Sequence, residues 1–517
     1  MRLPIVNSIY RALVFTLCLA ITLCFSCQKK ANTNPIEKNI YKENWDSIKA
    51  NYKTPKWFTN AKFGIFVNWG AYTVPAFEAE SYPRLMYIDS TNFNYPISSK
   101  KNIPSHVFIH HKANWGNQKD FGYKDFIPLF KGEKFDAHNW IELFKKSGAK
   151  YVIPVADHHD GFAMYKSNTT RWNAYDMGPK RDILGELFRA GRNKGLIMGA
   201  SSQFAFNWSV YNKKDHFDTT NPDYADLYSA KGKDLNQPVS NEFKKRWWNR
   251  TIDLIDNYQP DIFWIDYYNN SPNFENIRPK LASYYYNKGV KWGKEVVLQD
   301  KNNNSFPEKT IIYNLECDKL STLKELQKQN NVSISKTSCS NTSNSIHKTT
   351  NKIIANLADI VSKNGSFILN VSPKSDGTIP NNQKDILLKV GNWLKINGEA
   401  IYNTTTWKIY GEGPTKINEV YYSKNNSNLF SSKDIRFTKK GNILYAIVLS
   451  WPTNGKINIT SLAKNSEYLT YLSIEDINIL GNSNNIKWQQ TNHGLEIQKH
   501  IKSTNNHIYT IAIKLKK

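Results

Sequence analysis

Short apolar runs alternate with longer amphipathic stretches from about residue 57 to residue 410. The apolar runs are rich in β-branched and aromatic residues, which is typical of strands buried on both faces of a parallel sheet. Helical periodicity between several of these runs predicts helices over residues 140–147, 183–194 and 242–258. This sustained βα rhythm predicts the α/β class and favours a (β/α)8-like, TIM-type barrel over a doubly wound sheet. The predicted strands cover residues 62–69, 151–156, 196–201, 262–266, 296–300, 311–316 and 367–371.

The pattern changes after residue 410. Short segments that alternate apolar and polar positions are separated there by Asn, Gly and Ser, and they cover residues 435–437, 443–449, 456–459 and 508–515. Such spacing predicts a small C-terminal antiparallel β-sandwich.

The first 26 residues read as a secretory leader. Arg2 and Arg11 precede an apolar run over residues 12–25, which is too short for a stable membrane span. The run ends at Ser26-Cys27, which resembles a bacterial lipoprotein signal in which Cys27 carries the lipid. A cysteine, here Cys24, is atypical three positions before the cysteine that carries the lipid. Secretion without a lipid anchor is therefore the alternative.

This organisation predicts a leader over residues 1–26, a polar tether over 27–45, a barrel over 46–410 and a sandwich over 411–517. It also predicts an exported protein, periplasmic or anchored in the outer membrane of a bacterium. The only expected membrane contact is a lipid on Cys27.

Composition excludes a disordered chain, because 40% of the 517 residues are apolar and 13% are aromatic. The net charge of +25 raises the question of nucleic acid, but no long basic run and no zinc-finger or RNP-type signature is present. A solvated surface rich in Lys and Asn accounts for the charge, and attraction to an anionic, for instance sulfated, glycan is the second interpretation. Of five cysteines, Cys18, Cys24 and Cys27 lie in the leader or directly after it, and sequence leaves the pairing of Cys317 and Cys339 open.

Polar side chains follow the predicted strands, at the end where the chemistry of a barrel lies. Tyr151 to Ala156 form a buried run that turns abruptly into Asp157-His158-His159-Asp160-Gly161. Adjacent side chains on an extended segment point apart, so a metal shared by the two histidines is not expected. A solvated loop with idle histidines is the alternative.

Read together, the strand ends predict a polar, aromatic pocket for a neutral polyhydroxylated ligand, with no metal-ligand spacing and no glycine-rich phosphate loop. We expect neither a metal nor a cofactor. The strand-end set comprises Asn68, Trp69, His158, His159, Gln203, Trp264, Asp266, Asp300, Glu316 and Asn370.

Two carboxylates are the candidate catalytic groups. Asp266 ends an apolar run, and burying a carboxylate there costs free energy unless the group has a partner or a catalytic role. A helix cap or a salt bridge would also explain it. Glu316 ends the run 311–316 and is the natural second acid, with a solvated loop acid as the alternative and Glu308 and Glu325 as competitors. Carboxyl groups about 5 Å apart would support double displacement at an anomeric carbon.

The chain resembles the α-L-fucosidases of glycoside hydrolase family 29 from about residue 57 to residue 410. Seven stretches in family order carry the resemblance, including Glu80-Ser81-Tyr82 with Met86-Tyr87. The others are KFGIFVNWGAYTVPA (62–76), FGYKDFIPLF (121–130), SGAKYVIPVADHHDGFAMYKS (147–167), RWNAYDMGPKRDILGEL (171–187), NYQPDIFWID (257–266) and DIVSKNGSFILNVSPKSDGTI (359–379).

This resemblance implies a retaining, exo-acting fucosidase with a barrel followed by a β-sandwich. It implies that Asp266 is the nucleophile and that Glu316, in Leu315-Glu316-Cys317-Asp318, is the acid/base. Residues implied to contact the sugar are Asn68, Trp69, Glu80, His158, His159, Gln203 and Trp264. The implied partner is a fucosylated glycan.

Several positions depart from the family pattern. Asn68 and Gln203 stand where histidines are usual, and Ser81 stands where tryptophan is usual. The segment after Glu316 lacks the usual Arg-Gly, and the Trp-rich stretch that normally follows is VSISKTSC (332–339). An amide can replace one hydrogen bond of an imidazole but cannot carry its charge. The departures predict weakened activity or a shifted substrate.

Three hypotheses result. The main one is a retaining α-L-fucosidase. The second is a surface glycan-binding protein that has lost catalysis, and the third is an enzyme for a fucose relative such as L-galactose, whose extra hydroxyl would use space freed at Ser81.

Overall fold

The computed structural model describes residues 39–90, 104–229, 239–265, 274–301, 306–316, 320, 322–336, 340–415, 430–482, 486–499 and 508–516. Eight parallel strands, paired in chain order, close into a barrel, and β8 pairs with β1. This confirms the predicted fold class. The strands are β1 Phe63–Val67, β2 Tyr151–Asp157, β3 Ile197–Ser202, β4 Ile262–Ile265, β5 Val297–Asp300, β6 Ile312–Glu316, β7 Lys328–Ser333 and β8 Gly365–Val371.

Alternate residues of each strand fill the barrel interior, as the period of two requires. Ile262 and Trp264 of β4 and Ile312 of β6 belong to this buried cluster. The ring of Tyr151 also lies inside and fills the space beside Gly64, where an added Cβ would lie 2.2 Å from a ring carbon. The hydroxyl of Tyr151 donates a hydrogen bond of 2.9 Å to Gln329. The parity of each strand therefore determines which residues face the cavity at its carboxyl end.

The helices include the three predicted ones, each started by a side chain that accepts from a backbone N–H of the first turn. Asp136, Asp182 and Ser240 are these N-caps. The helices are α1 Trp45–Asn51, α2 Lys56–Ala61, α3 Tyr82–Leu85, α4 His106–Trp115, α5 Tyr123–Phe126, α6 Ala137–Lys146, α7 Ile183–Asn193, α8 Asn207–Val210, α9 Ala225–Tyr228, α10 Asn241–Tyr258, α11 Ile277–Lys291, α12 Thr350–Ser362 and α13 Asn381–Asn397.

Two antiparallel sheets follow the barrel, which confirms the predicted sandwich. Five strands pair in the order β13-β16-β11-β10-β9, and three in the order β12-β15-β14. Apolar residues of both sheets share one core. The strands are β9 Gly411–Glu412, β10 Ile435–Lys440, β11 Ile443–Val448, β12 Lys456–Ile459, β13 Ser473–Ile479, β14 Lys487–Thr491, β15 Gly494–Gln498 and β16 Tyr509–Lys516.

A buried ionic cluster connects the sandwich to the barrel. Asp359 of α12 accepts from Arg436 of β10 at 2.6 Å and from Lys363 at 2.9 Å. All three side chains are at most 4% exposed. Removing one member would leave a buried charge without its partner. This cluster therefore fixes the position of the sandwich against the barrel.

Several predicted features lie outside the described residues: the leader over residues 1–26, Cys27, Asp266, and the pair Cys317 and Cys339. Within the described ranges, no helix combines the length and the apolar character that a bilayer span requires.

Candidate active site

Buried polar side chains cluster where the barrel strands end. Asn68 follows β1, His158 and His159 follow β2, and Gln203 follows β3. These four residues are at most 5% exposed, and Trp264 of β4 is 1% exposed. Since parallel strands in a closed barrel present their carboxyl ends at one face, these side chains share one end of the molecule.

Direct contacts link most of this set through an aromatic residue that the sequence did not single out. The hydroxyl of Tyr72 donates to Asn68, and the Tyr72 ring lies 4.8 Å from that of His158, centroid to centroid. The two histidine rings are 4.0 Å apart, and His159 meets Phe206 edge to face at 5.6 Å. The predicted histidine pair is thus packed within this buried cluster and is not part of a solvated loop.

A tight turn and a buried ion pair fix the histidine segment. Gly161 has φ +89°, which favours glycine, and its N–H donates to the carbonyl of His158 at 3.2 Å. Arg250 of α10 lies 3.0 Å from the carboxylate of Asp157 and donates to the carbonyl of Gly161 at 2.9 Å. One arginine from the helix before β4 therefore holds both ends of the segment that carries His158 and His159.

Both imidazoles are neutral near pH 7. Burial lowers the pKa of His158 to about 3, with a further contribution from the positive charge of Lys301. Burial lowers the pKa of His159 well below its ordinary value, and His158, Arg84 and Lys301 add to the effect. A neutral imidazole offers one donor and one acceptor, which suits the hydroxyl groups of an uncharged sugar.

We expect the depressed histidine pKa to appear in the pH dependence of stability. Between about pH 3 and pH 6.5 the unfolded chain binds a proton at position 158 that the folded protein does not, so folding stability falls as pH falls through this window. His158→Gln removes this term. The free energy of unfolding, measured by urea denaturation, should then fall less steeply with acid than in the wild type, by about 1.4 kcal/mol per pH unit.

The exposed His138 provides the matched control, because His138→Gln makes the same substitution outside the buried cluster. Burial raises the pKa of Asp160 to about 6, which makes folding stability rise as pH falls. Because Asp160 is present in all three proteins, its contribution cancels when their stabilities are compared. Equal slopes for His158→Gln and wild type would contradict a buried, neutral His158.

Unpartnered polar atoms in this cluster indicate a ligand with several hydroxyl groups. In the part of the chain that the structure describes, these atoms are buried and have no hydrogen-bond partner. Such groups are rare in folded proteins because each one carries a desolvation cost. They are Nδ1 of His158, Nδ1 of His159, Oε1 of Gln203, Nε1 of Trp264 and both amide atoms of Asn314.

Trp69 and Glu80 have partners within the fold. The Trp69 ring meets Phe130 and Trp140 edge to face at 4.9 and 5.0 Å, and its N–H donates to the Lys374 carbonyl at 2.7 Å. The structure thus gives Trp69 a packing role, and its contact with sugar stays a prediction. Glu80 is half-buried and accepts from Ser340 at 2.7 Å, which ties the loop after β1 to the loop after β7.

Neither candidate catalytic carboxylate has a described side chain. Asp266 directly follows β4 in the chain and lies outside the described residues. Glu316 is the last residue of β6, and its side chain also lies outside the description. Glu308 and Glu325 are exposed and lie on the segments that lead into β6 and β7, at the amino ends of those strands. Barrel topology therefore separates both competitors from the strand-end cluster.

Sequence reasoning missed Tyr72, Arg250 and Asn314. An amide inside the apolar run of β6 was the available signal for Asn314, because its parity with Ile312 turns it inward. Tyr72 and Arg250 act through contacts between distant elements that no local pattern encodes. No group of three or more His, Cys, Asp or Glu in the described ranges is arranged to hold a metal ion.

Comparison with known proteins gives two family matches. The family described as "Alpha-L-fucosidase" matches residues 27–399, and the "Alpha-L-fucosidase C-terminal domain" matches residues 427–516. The chain is 29% identical over 450 residues to the plasma alpha-L-fucosidase of Homo sapiens, covering 86% of this chain and 85% of that protein. It is 30% identical over 473 residues to the human tissue alpha-L-fucosidase, covering 87% and 85%.

Solved structures of fucosidases are also similar to this chain. The crystal structure of Thermotoga maritima alpha-fucosidase superposes with a TM-score of 0.71 at 28% identity, covering 92% of this chain and 100% of that one. The same enzyme in complex with fucose superposes with a TM-score of 0.69, at the same identity and coverage.

Proposed function

The chain belongs to the alpha-L-fucosidase family, and from this premise we propose that it hydrolyses terminal α-L-fucosyl residues of glycans by double displacement. It is a glycoside hydrolase. The observation that carries the proposal is the set of buried polar atoms of His158, His159 and Gln203, at the carboxyl end of the barrel, that have no partner among the described residues. They provide hydrogen-bonding capacity for several sugar hydroxyls at once.

Asp266 is our proposed nucleophile. In the sequence, Asp266 is the next residue of the same parity after Ile262 and Trp264, which both face the barrel interior. Its carboxylate would attack the anomeric carbon while the glycosidic C–O bond breaks, forming a covalent glycosyl ester.

Glu316 is our proposed acid/base. It follows Ile312 and Asn314 at the same parity on β6, two strands from β4 in the barrel. Protonated, it would give its proton to the leaving oxygen as the C–O bond breaks. In the second step it would take a proton from water as the water oxygen attacks the anomeric carbon and releases Asp266.

Neutral histidines fit this reaction. With their pKa values held low by burial, His158 and His159 neither add charge beside a developing oxocarbenium ion nor compete with Glu316 for its proton. We assign them the binding of fucose hydroxyls. We assign Trp264, whose indole N–H is buried without a partner in the described chain, a further hydrogen bond to the sugar.

Two finer features belong to the proposal. The net charge of +25 supports an anionic, for instance sulfated, glycan as the substrate polymer. The leader over residues 1–26 and Ser26-Cys27 support export to the bacterial periplasm or outer membrane with a lipid on Cys27.

A screen on aryl glycosides tests the function. We expect hydrolysis of 4-nitrophenyl α-L-fucoside at a kcat/KM about tenfold or more above that of 4-nitrophenyl α-L-galactoside, which differs only by a hydroxyl at carbon 6. The reverse preference would select the L-galactose hypothesis. Glycan binding without hydrolysis of any fucoside would instead select a binding protein, which the loss of histidine at Asn68 and Gln203 favours.

A further inference from the structure

A second groove opens beside the candidate active site. It has a volume of about 380 Å³ and is lined by Lys124, Lys131, Trp172, Lys180 and Tyr224 among others. That volume lies within the range of about 300–1,000 Å³ that ligand sites occupy. The lining comes from the segments that follow β1, β2 and β3, so the groove lies at the same end of the barrel as the strand-end cluster. We call it the lysine groove.

Positive charge dominates the lysine groove. Lys131 and Lys180 are exposed, and within the described ranges neither has a carboxylate within 4.0 Å. Lys124 is 14% exposed at its side chain, pairs with Asp125 at 2.5 Å and lies over the ring of Tyr224 at 5.1 Å. Because Lys124 is paired with Asp125 and lies 3.9 Å from the carboxylate of Asp218, the positive charge available to a ligand is that of Lys131 and Lys180.

The walls of the groove are fixed before any ligand arrives. Gly178 approaches the segment after β1 so closely that an added Cβ would lie 2.5 Å from the carbonyl oxygen of Phe130. Trp172 is held by a hydrogen bond of 2.8 Å from its indole N–H to Asp226. Tyr224 meets the Trp172 ring edge to face at 6.2 Å. A preformed site spends less binding free energy on ordering its own side chains.

Contacts connect the groove to the wall of the sugar cavity. Lys124 follows Tyr123, whose hydroxyl donates to the carboxylate of Asp160. Asp160 directly follows His159 in the chain. One chain of contacts therefore links the lining of the lysine groove to the segment that carries His158 and His159.

We propose that the lysine groove binds an anionic group, a sulfate ester or a carboxylate, on a sugar unit of the glycan outside the fucosyl unit held in the barrel. This inference rests on the proposed function for the identity of the ligand as a glycan. The exposed ammonium groups of Lys131 and Lys180 recognise the anion, and the half-buried Tyr224 gives the sugar unit an apolar contact beside them.

The test compares two double variants of the full chain with equal net charge. Lys131→Gln/Lys180→Gln removes the exposed lysines of the groove, and Lys384→Gln/Lys395→Gln removes two exposed lysines of α13. Affinity electrophoresis at 0.15 M salt, through gels containing dextran sulfate, polygalacturonate or neutral dextran, gives the apparent Kd of each protein. The groove variant should bind an anionic polymer about tenfold more weakly than wild type, and the α13 variant less than about twofold more weakly.

The polymer that shows this site-dependent loss identifies the anion as sulfate or carboxylate. Equal weakening of both variants, or equal retardation by neutral dextran, would overturn the inference, because general charge or the sugar alone would then explain binding. If both variants unfold at the midpoint temperature of the wild type, misfolding does not explain the weaker binding.

Hydrolysis of 4-nitrophenyl α-L-fucoside reports separately on the proposed function. Both double variants should keep the wild-type kcat, since the small substrate does not extend into the groove. Site-dependent binding without hydrolysis by wild type would contradict the proposed function and leave the groove established. Hydrolysis by wild type without site-dependent binding would support the proposed function and overturn the inference about the lysine groove.

Discussion

Replacing Asp266 with asparagine should lower kcat for 4-nitrophenyl α-L-fucoside by about 10⁴-fold or more, because an amide cannot form the glycosyl ester. The loss should appear in kcat, with substrate affinity changed far less, since the sugar hydroxyls are bound by other side chains. Steady-state kinetics of purified protein measure both parameters.

Asp261 gives the matched control at the opposite end of the same strand. It directly precedes β4, pairs with Lys294 at 3.1 Å and should be replaceable by asparagine with kcat within a fewfold of wild type. Asp266→Gly should regain activity in azide and yield the β-configured fucosyl azide. An Asp266→Asn variant with wild-type kcat would show that another group attacks the sugar.

Replacing Glu316 with glutamine should have an effect that depends on the leaving group. With a fucosylated oligosaccharide, whose leaving oxygen needs a proton, we expect kcat/KM to fall by about 10²–10⁴-fold. With 4-nitrophenyl fucoside, whose leaving group departs unprotonated, the first step should be much less affected. Comparing kcat/KM for the two substrates measures this difference.

Glu308→Gln and Glu325→Gln are the controls. Both residues are exposed and precede β6 and β7, so they lie at the amino ends of the strands. Their replacement should leave the activity on both substrates close to wild type. If either variant showed the leaving-group dependence and Glu316→Gln did not, our assignment of the acid/base would be wrong.

Much of the barrel was predictable because buried parallel strands read as apolar runs. Seven of the eight strands correspond to predicted segments, with boundaries that differ by one or two residues. The missing strand, β7, reads KQNNVS and carries no apolar run. One of its amides, that of Gln329, is paired inside the barrel by two hydrogen bonds of 3.1 Å to Gln299. Such a strand is recognisable only once its partners are known.

In the sandwich, alternation predicted β10, β11, β12 and β16 and missed β9, β13, β14 and β15. Of the missed strands, β13 has more exposed positions than buried ones. The alternation in β13 is too weak to predict a strand, and its pairing with β16 determines the strand.

The candidate site was predictable where chemistry follows a strand end. His158 and His159 were visible because two imidazoles interrupt an apolar run. The support of this segment by Arg250, and the contact of Tyr72 with both Asn68 and His158, depend on elements far apart in the chain. The packing of Trp69 among Phe130, Phe135 and Trp140 likewise could not be seen from the strand-end pattern, and its contact with sugar stays a prediction.

The central claim, that Asp266 forms a covalent bond with the sugar, is tested most directly by trapping. A 2-deoxy-2-fluoro-α-L-fucosyl fluoride slows both steps but keeps a good leaving group, so the glycosyl ester should accumulate. Peptide mass spectrometry should then find one added 2-deoxy-2-fluorofucosyl group on Asp266. A label on a different side chain, or turnover that releases the inverted anomer with no adduct, would contradict the account.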